Sequence, residues 1–423
     1  MKLVPLIICC LGVNAFSQTS NHTLLKADRV FDGEAMHTGW SVLVKGNRIE
    51  AVGLITDAPA NTRIISLPGA TLMPGLIEGH SHLFLHPYNE TSWDEQVLNE
   101  SRAERTARAV NHAKATLLAG FTTVRDLGTE GAQYDDAALK KTIEKGIVPG
   151  PRMIVATRAI VAKGTYGPKS DNPETVYPQG AAEVGNVAEL INEVRVQIGK
   201  GADVVKIYAD YRWGKNREAA PAFTIEEITA AVAVAKSGGR QVAAHATSTE
   251  GMRRAVMAGV HVIEHGDEGT LEIFELMKAK NVALCPTISA GIAVAGYRAA
   301  EKGMAFDSMV VHAKMKSFAM ALKAGVTICM GGDVGVFTHG DNAREMIFMV
   351  QGGMTPMQVL QSATSINADA FDYGATAGRL KKGLMADVIA VPGDPSKNIS
   401  LVRQVLMVMK DGVMYKLTGE QKK

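Results

Sequence analysis

Cysteine, aromatic residues and an excess charge of either sign are all scarce in this sequence. Its 45 Lys and Arg nearly balance 43 Asp and Glu over 423 residues, which leaves a formal charge of +2. A nucleic-acid-binding surface needs a basic patch, and we find no basic run with interleaved aromatic residues. Hydrophobic residues make up 46% of the chain, the composition of a folded globular protein rather than a disordered one. We therefore expect a globular protein without a nucleic-acid partner.

Long apolar runs are also missing, and only the N-terminus carries a short one. Lys2 is followed by the apolar residues 3–13 and then by the small-residue pattern Ala15-Phe16-Ser17. That order is typical of a secretory signal peptide, so we predict cleavage after Ser17 and export of the mature protein. A buried N-terminal strand is the alternative. Elsewhere no stretch reaches the ~18 uninterrupted apolar residues that span a bilayer, so we expect no membrane span.

Removal of residues 1–17 leaves two cysteines, Cys285 and Cys329. Each lies in an apolar run that is typical of a strand. We therefore predict two buried free thiols rather than a disulfide.

Short apolar strands separated by turns occur at both ends of the chain. They cover residues 23–26, 41–45, 49–52, 386–391, 405–410 and 413–416. Between the last two lies Asp411-Gly412, a dipeptide typical of hairpin turns. The pattern predicts that residues 18–70 and 384–423 meet as one small β domain, a β-sandwich.

The middle of the chain, residues 71–383, alternates short apolar strands with longer helical stretches. Helical stretches cover 103–119, 187–200, 225–236 and 315–324. The strand candidates are 70–73 running into 77–82, then 122–126, 152–156, 204–208, 242–245, 261–265, 282–286 and 327–333. Strands that alternate with helices in this way predict an α/β fold, a (β/α)8 TIM barrel. A doubly wound open sheet is the alternative, although no glycine-rich nucleotide-binding motif supports it.

The strongest local motif is Met73-Pro74-Gly75-Leu76-Ile77-Glu78-Gly79-His80-Ser81-His82. On a strand, residues i and i+2 point to the same face, so His80 and His82 would project together into the mouth of the barrel. Two imidazoles on one face can form half of a site for Zn²⁺ or a similar metal. Alone, this motif is a weak indication of metal binding.

Three other predicted strands also end on residues that bind metals. His245, His265 and Asp333 are the last residues of their strands, in a chain with only 11 His. Active sites of such barrels lie where the strands end and the following loops begin, so four strand ends would meet at one point. This convergence predicts a metal site.

Lys206 lies inside the apolar strand Val204–Tyr208. One interpretation is an outward lysine whose stem covers apolar surface. A buried ammonium is costly, however, and an interior lysine close to metals can lose its proton and react with CO2. The resulting anionic carbamate would bridge two cations.

Together these residues resemble the pattern of the amidohydrolase superfamily, which has H-x-H after strand 1, lysine on strand 4, histidines on strands 5 and 6, and aspartate on strand 8. The resemblance covers essentially the whole mature chain and includes Pro74–Ile77 and Thr122–Asp126. Within the superfamily, the chain is similar to the imidazolonepropionase-related, prolidase-like branch of binuclear zinc peptidases. That branch includes dipeptidases, carboxypeptidases and amidases that hydrolyse ochratoxin A.

The resemblance implies two divalent metal ions, which we expect to be zinc, and a homo-oligomer. His80, His82 and Asp333 would bind one metal, His245 and His265 the other, and carboxylated Lys206 would bridge both together with a hydroxide. Asp333 would also carry the proton from the nucleophile to the leaving amine. Tyr208, two residues beyond Lys206 on the same strand face, would donate a hydrogen bond to the developing oxyanion.

Loops at the same end of the barrel supply the candidate substrate-binding residues. They are His86, Tyr88, Tyr166, Lys169, Tyr211, Arg212, Trp213 and His339. The aromatic members would line an apolar pocket, although ordinary loop packing explains them equally well. A substrate carboxylate would pair with a cation, and the candidates are Arg158, Lys163, Lys169, Arg212 and Lys215. Residues 162–169 lack a histidine that many members of the branch carry, so Tyr166 or Lys169 takes its role or the role is lost.

The sequence thus predicts hydrolysis of an amide bond to a C-terminal hydrophobic or aromatic amino acid. The substrate class comprises dipeptides, N-acyl amino acids and ochratoxin-like amides. A mononuclear cyclic-amide hydrolase or deaminase, such as imidazolonepropionase, is the first alternative, and Lys206 argues against it. A non-catalytic scaffold is the second, and the presence of all six ligand positions argues against it.

Overall fold

A computed structural model of the chain describes residues 22–168, 172, 174–306 and 308–418. The predicted signal peptide, residues 1–17, and Lys169 lie outside the described residues. Within these ranges, no helix is both long enough and apolar enough to cross a membrane.

The described residues form strands and helices whose bounds are as follows. The strands are β1 (His22–Phe31), β2 (Met36–Thr38), β3 (Ser41–Lys45), β4 (Arg48–Gly53), β5 (Arg63–Pro74), β6 (Leu76–Ser81), β7 (Phe121–Asp126), β8 (Arg152–Val155), β9 (Ile160–Ala162), β10 (Ala182–Val184), β11 (Val204–Tyr208), β12 (Asp210–Tyr211), β13 (Ala220–Pro221), β14 (Gln241–Ala246), β15 (Val262–His265), β16 (Ala283–Cys285), β17 (Val388–Pro392), β18 (Met407–Lys410) and β19 (Val413–Leu417). The α-helices are α1 (Trp93–Leu98), α2 (Arg102–Leu118), α3 (Asp135–Glu144), α4 (Val187–Lys200), α5 (Ile225–Ser237), α6 (Thr249–Ala258), α7 (Leu271–Ala279), α8 (Ile288–Glu301), α9 (Ser308–Ala324), α10 (Ala343–Gln351), α11 (Pro356–Gln361) and α12 (Asn367–Ala370). A π-helical turn (Ser362–Ile366) joins α11 to α12, and a 3₁₀ helix (Ile399–Arg403) precedes β18.

Both ends of the chain contribute strands to one sheet of eight strands. Its order is β19-β18-β17-β5-β1-β3-β4, and β2 pairs with β1. The Asp-Gly dipeptide does form the hairpin between β18 and β19: Asp411 and Gly412 have φ of +51° and +73°, as a two-residue hairpin turn requires. The two ends therefore meet, as the sequence predicts.

Strands from both ends of the chain contribute residues to one buried apolar cluster of this terminal sheet. Val42 of β3 and Ile49 of β4 share the cluster with Val388 of β17 and Met407 of β18. The strand pairings describe one continuous sheet, so the predicted β-sandwich is not confirmed. The domain boundaries at residues 70 and 384 stay predictions.

Parallel strands build the middle of the chain. Parallel pairing joins β6 to β7 and β8, and joins β9, β11, β14, β15 and β16 in turn. The amide of Asp203 donates to the Val155 carbonyl at 2.8 Å, which links β8 to the start of β11. Residues 327–334 connect β16 back to β6 through the parallel bridges Leu284–Ile328 and Ser81–Val334. The predicted alternation of parallel strands and helices is therefore confirmed.

Two parts of the middle differ from the sequence-based prediction. The segment predicted as strand 8 forms isolated bridges and single backbone hydrogen bonds to its neighbours rather than a regular strand. Its chain turns at Asp333, which has a φ of +62°. An extra parallel pair, β9 and β10, lies between the third and fourth predicted strands. The carboxyl ends of the strands all face one side, where the candidate ligands lie.

Candidate active site

The predicted metal ligands come together at the carboxyl ends of the strands. The ring centroids of His80 and His82 are 5.3 Å apart, those of His80 and His265 are 5.1 Å apart, and those of His245 and His265 are 4.4 Å apart. Asp333 Oδ1 lies 3.2 Å from His82 Nε2 and 3.6 Å from His80 Nε2. His80, His265 and Asp333 each offer one potential ligand atom, and these three atoms all lie within 4.8 Å of one another.

The backbone at this site is strained and closely packed. His265 and Asp333 have φ of +78° and +62°, a region that non-glycine residues rarely adopt and that often marks a functional site. A Cβ on Gly79 would lie 2.5 Å from the Met330 carbonyl oxygen, and one on Gly331 would lie 2.7 Å from the His80 amide nitrogen. Glycine at these positions allows β6 and the segment after β16 to approach, which brings Asp333 to the two histidines.

Hydrogen bonds orient three of the histidine rings. The Nδ1 atoms of His80, His82 and His265 each lie 2.8–2.9 Å from an oxygen atom. These oxygens belong to the Glu264 carboxylate, the Gly128 carbonyl and the Thr287 hydroxyl, respectively. Donation from Nδ1–H leaves Nε2 as the lone-pair atom, and metal-binding histidines commonly use this arrangement.

A buried ion pair lies behind His80. Glu264 Oε2 accepts from His80, and Glu264 Oε1 accepts from Arg125 Nη2 at 2.5 Å. The Arg125 Nε donates to the Gly79 carbonyl at 2.7 Å, and its guanidinium lies 3.9 Å from the centroid of the Phe371 ring. The Glu264 and Arg125 side chains are 0% and 1% exposed, so this pair fixes the orientation of His80 from inside the core.

Burial keeps three of the histidines neutral, which is the form that binds metals. It lowers the pKa of His80 to about 4, with a smaller contribution from the positive charge of Lys206. Burial likewise holds the pKa values of His245 and His265 well below the usual value. At His82 the opposite occurs, because Asp333 and other carboxylates outweigh burial and raise the pKa to about 9.

The Lys206 amine is buried among these ligands. The residue is 1% exposed, and its Nζ has no hydrogen-bond partner among the described residues. Burial lowers the pKa of Lys206 and thus favours the neutral amine. The Nδ1 of His245 also lacks a hydrogen-bond partner in the described part of the chain. Because buried polar atoms are nearly always satisfied, this donor set fits the binding of metal ions.

Aromatic rings cover one side of the ligands. Tyr208 stacks on His245 with centroids 4.5 Å apart and planes at 16°. Tyr166 contacts Tyr208 and Tyr211 at 5.0 Å and 4.8 Å between centroids. The hydroxyl groups of Tyr166 and Tyr208 both donate to the carboxylate of Glu130, which lies in the loop after β7.

The other predicted substrate-binding residues have varied surroundings. Tyr88 is half-buried, and its partial burial, together with the charges of Glu130 and Asp333, raises its pKa well above the usual value. Both ring nitrogens of His86 lie within hydrogen-bond distance of carboxylates, those of Glu90 and Glu100.

Of three further candidates, one is buried and two are exposed. The His339 Nε2 lies 2.9 Å from the Leu85 carbonyl oxygen, and its ring stacks on His112. Trp213 is 47% exposed and donates to the Ala220 carbonyl, and Arg212 is exposed. Substrate contact by these residues stays a prediction.

Sequence reasoning missed four charged residues of the site: Arg125, Glu130, Glu264 and Arg298. Arg125 and Glu264 are ionisable residues inside apolar strands, the same signal that identified Lys206. Glu130 and Arg298 lie in a loop and on α8, where a charged residue is ordinary, so no local signal distinguishes them.

The sequence and the structure were compared with those of known proteins, and the matches identify the family of this chain. Residues 71–414 match the amidohydrolase family. Ochratoxinase from Aspergillus niger is 30% identical over 378 residues, which cover 82% of this chain and 76% of that protein. Imidazolonepropionase from Symbiobacterium thermophilum is 23% identical and covers 86% of each chain. The crystal structure of a Xaa-Pro dipeptidase with methionine bound in the active site is 32% identical, with a TM-score of 0.81, over 93% of this chain and 100% of that one. The chain therefore belongs to the amidohydrolase family, with its TIM-barrel type of fold and mixed α/β content.

Proposed function

We propose that this protein is a binuclear metal-dependent amidohydrolase that cleaves the amide bond to a C-terminal hydrophobic or aromatic amino acid. The observation that carries this proposal is that four histidines and Asp333 lie together at the strand ends, with the buried amine of Lys206 unpaired among the described residues. Family membership supports a hydrolase, and the ochratoxinase and dipeptidase relatives support an amide substrate.

Each ligand in this proposal has the donor atom that its role needs. His80, His82 and Asp333 would hold one metal, and His245 and His265 the other, with carboxylated Lys206 between them. When bound, two divalent metals, which we expect to be zinc, lower the pKa of a water molecule and polarise the scissile carbonyl. The unpartnered Lys206 amine and its lowered pKa favour reaction with CO2.

Asp333 and Tyr208 would act on the reacting atoms. Burial raises the pKa of Asp333, but His80 and His82 outweigh burial and keep the carboxylate ionised. It can therefore accept the proton of the attacking water and deliver it to the leaving amine. Tyr208, which stacks on His245, would turn its hydroxyl toward the oxygen of the scissile carbonyl as negative charge develops there.

Two arginines would hold the substrate carboxylate. Arg212 follows β12 and Arg298 lies on α8, and both side chains are exposed. Neither forms an ion pair with an acid among the described residues. The charges of both arginines lower the pKa of Tyr211. Burial and Glu130 outweigh them and raise this pKa to about 12. Arginine binds carboxylates through two parallel hydrogen bonds, so this pair suits the free end of a C-terminal residue.

Several wider expectations belong to the same proposal. The parallel strands would form a closed (β/α)8 barrel, and the terminal sheet would be a separate small domain. The mature protein would be exported after loss of residues 1–17. It would form a homo-oligomer, which light scattering of the purified protein would test.

Metal content and amino-acid release would be measured together on protein purified without chelator and in bicarbonate. The substrates would be Xaa-Phe, Xaa-Leu, Xaa-Pro and N-acyl amino acids, with chelator-treated enzyme as the control. About two zinc per chain and release of the C-terminal residue would support the proposal. One metal per chain would favour a cyclic-amide hydrolase or deaminase, the activity class of the imidazolonepropionase relative. Two metals without release of any amino acid would contradict the substrate class.

A further inference from the structure

Glu130 places a buried carboxylate beside the aromatic cluster of Tyr166, Tyr208 and Tyr211. The residue is 2% exposed and lies in the loop after β7. Its Oε2 accepts from the Trp93 indole at 3.0 Å and from the Tyr166 hydroxyl, and its Oε1 lies 3.4 Å from the Tyr208 hydroxyl. All three donors are neutral groups.

No cation within the described ranges forms an ion pair with this carboxylate. The nearby guanidinium of Arg105 donates instead to main-chain carbonyls, including that of Glu130 itself at 2.6 Å and that of Thr129 at 2.9 Å. A buried charge without a counter-ion is expensive, and such groups are usually paired. The Glu130 carboxylate thus has neutral hydrogen-bond donors and no direct ion pair among the described residues, although the Arg105 charge lies close enough to act on it. It is therefore available to pair with a charged group of a bound substrate.

The loop holds Glu130 in a conformation that it would not otherwise adopt. Its φ of +47° is unfavourable for a residue with a side chain. Arg105, itself 2% exposed, opposes that strain with hydrogen bonds to the carbonyls of Phe84, Thr129 and Glu130. The chain thus uses a buried arginine and a strained backbone to keep one carboxylate beside Tyr208.

The position of Glu130 relative to Tyr208 suits one chemical group. The α-amino nitrogen of a dipeptide is three covalent bonds from the oxygen of its scissile carbonyl, and therefore roughly 3 Å from it. If Tyr208 donates to that oxygen, the amino group comes within reach of the Glu130 Oε1, which lies 3.4 Å from the same hydroxyl. We propose that Glu130 binds the α-ammonium group of the substrate, so that the preferred substrates are dipeptides with a free N-terminus.

This inference rests on the proposed function and narrows its substrate class. With Arg212 and Arg298 for the carboxylate, the pocket would carry opposite charges for the two ends of a zwitterionic dipeptide. An N-acyl amino acid has no ammonium group, and its acyl chain would leave the Glu130 charge without a partner. Glu130 would therefore be a specificity-determining residue that discriminates against neutral acyl groups.

Two substrates that differ only in the amino group test the proposal. Ala-Phe and propanoyl-Phe have the same acyl carbon chain, and kcat/KM would be measured for both with wild type, Glu130→Gln and Trp93→Phe holoenzymes. We expect wild type to favour Ala-Phe by about 10- to 100-fold, the effect of one hydrogen bond to a charged group. Glu130→Gln should lose that preference, because its kcat/KM should fall much further for Ala-Phe than for propanoyl-Phe. Trp93→Phe removes a neutral donor without removing the charge and should change both substrates alike.

Calorimetric titration of non-cleavable phosphinic analogues of the two substrates provides a readout without turnover. The analogue with the amino group should bind more tightly to wild type, and Glu130→Gln should abolish the difference. Equal use of both substrates by wild type, or equal losses on both in Glu130→Gln, would overturn the proposal. If neither substrate is cleaved, the proposed function fails, while the titration still decides whether Glu130 recognises an amino group.

Discussion

Substitution of Glu264 by Gln should destabilise this protein far more than substitution of an exposed glutamate. Glu264 accepts from both Arg125 and His80, through different oxygen atoms. In glutamine an NH2 donor replaces one of these two oxygens, so either Arg125 or His80 would face a donor instead of an acceptor. The Arg125 guanidinium, 1% exposed, would then remain as a buried charge without its partner.

The burial of this ion pair sets the expected loss in the free energy of unfolding. Loss of one partner of a buried ion pair costs about 3–5 kcal/mol, because the remaining charge is not solvated. That is a large share of the roughly 5–15 kcal/mol by which domains are stable. Glu250 offers a matched control, since it pairs with Arg253 and Arg254 while 42% of its side chain is exposed. Glu250→Gln should change the free energy of unfolding by no more than about 1 kcal/mol.

A double variant separates the two roles of Glu264. Arg125→Met combined with Glu264→Leu removes both charges and fills the space with apolar groups, so most of the stability should return. The Nδ1 of His80 would still lack its partner. Metal affinity should therefore stay about 10- to 100-fold below that of wild type in both the single and the double variant.

Urea unfolding followed by circular dichroism would give the free energies, and titration with a zinc-buffering chelator would give the metal affinities. The reasoning would be refuted if Glu264→Gln unfolded as wild type does, or if the double variant were no more stable than Glu264→Gln. Wild-type metal affinity in all variants would show that His80 does not depend on Glu264 for its orientation.

Three further predictions concern single residues of the core and the site. Lys206→Ala should hold less metal per chain by elemental analysis and release amino acid at least ~100-fold more slowly; full metal content and activity would contradict its bridging role. Gly79→Ala places a Cβ 2.5 Å from the Met330 carbonyl oxygen and should cost about 1–3 kcal/mol in urea unfolding, whereas Gly199→Ala, with open space around its Cβ, should not destabilise. Burial raises the pKa of the Cys329 thiol to about 12 and that of Cys285 well above its usual value, so neither should react with a thiol reagent at pH 8 until urea exposes them.

Strand periodicity allowed the candidate metal ligands to be picked out from the chain alone. His80 and His82 occupy positions i and i+2, a spacing that places both side chains on one face whatever the surroundings. His245, His265 and Asp333 were identified because ionisable residues at the ends of apolar strands are unusual. Lys206 was identified for the same reason, and Glu264 and Arg125 would have been found had that criterion been applied to every strand.

The sequence by itself determined most of the parallel strands, several of the helices and the residue types at the strand ends, because short-range backbone preferences and the alternation of apolar residues are local properties. Only the tertiary structure decided which distant residues meet. Arg125 and Glu264 are 139 positions apart, and the partners of Glu130 come from three separate segments. Loop positions and the pairing of buried charges depend on the packing of the whole chain, so no local pattern reveals that the Glu130 carboxylate lies beside Tyr208 without a direct ion pair to any described residue.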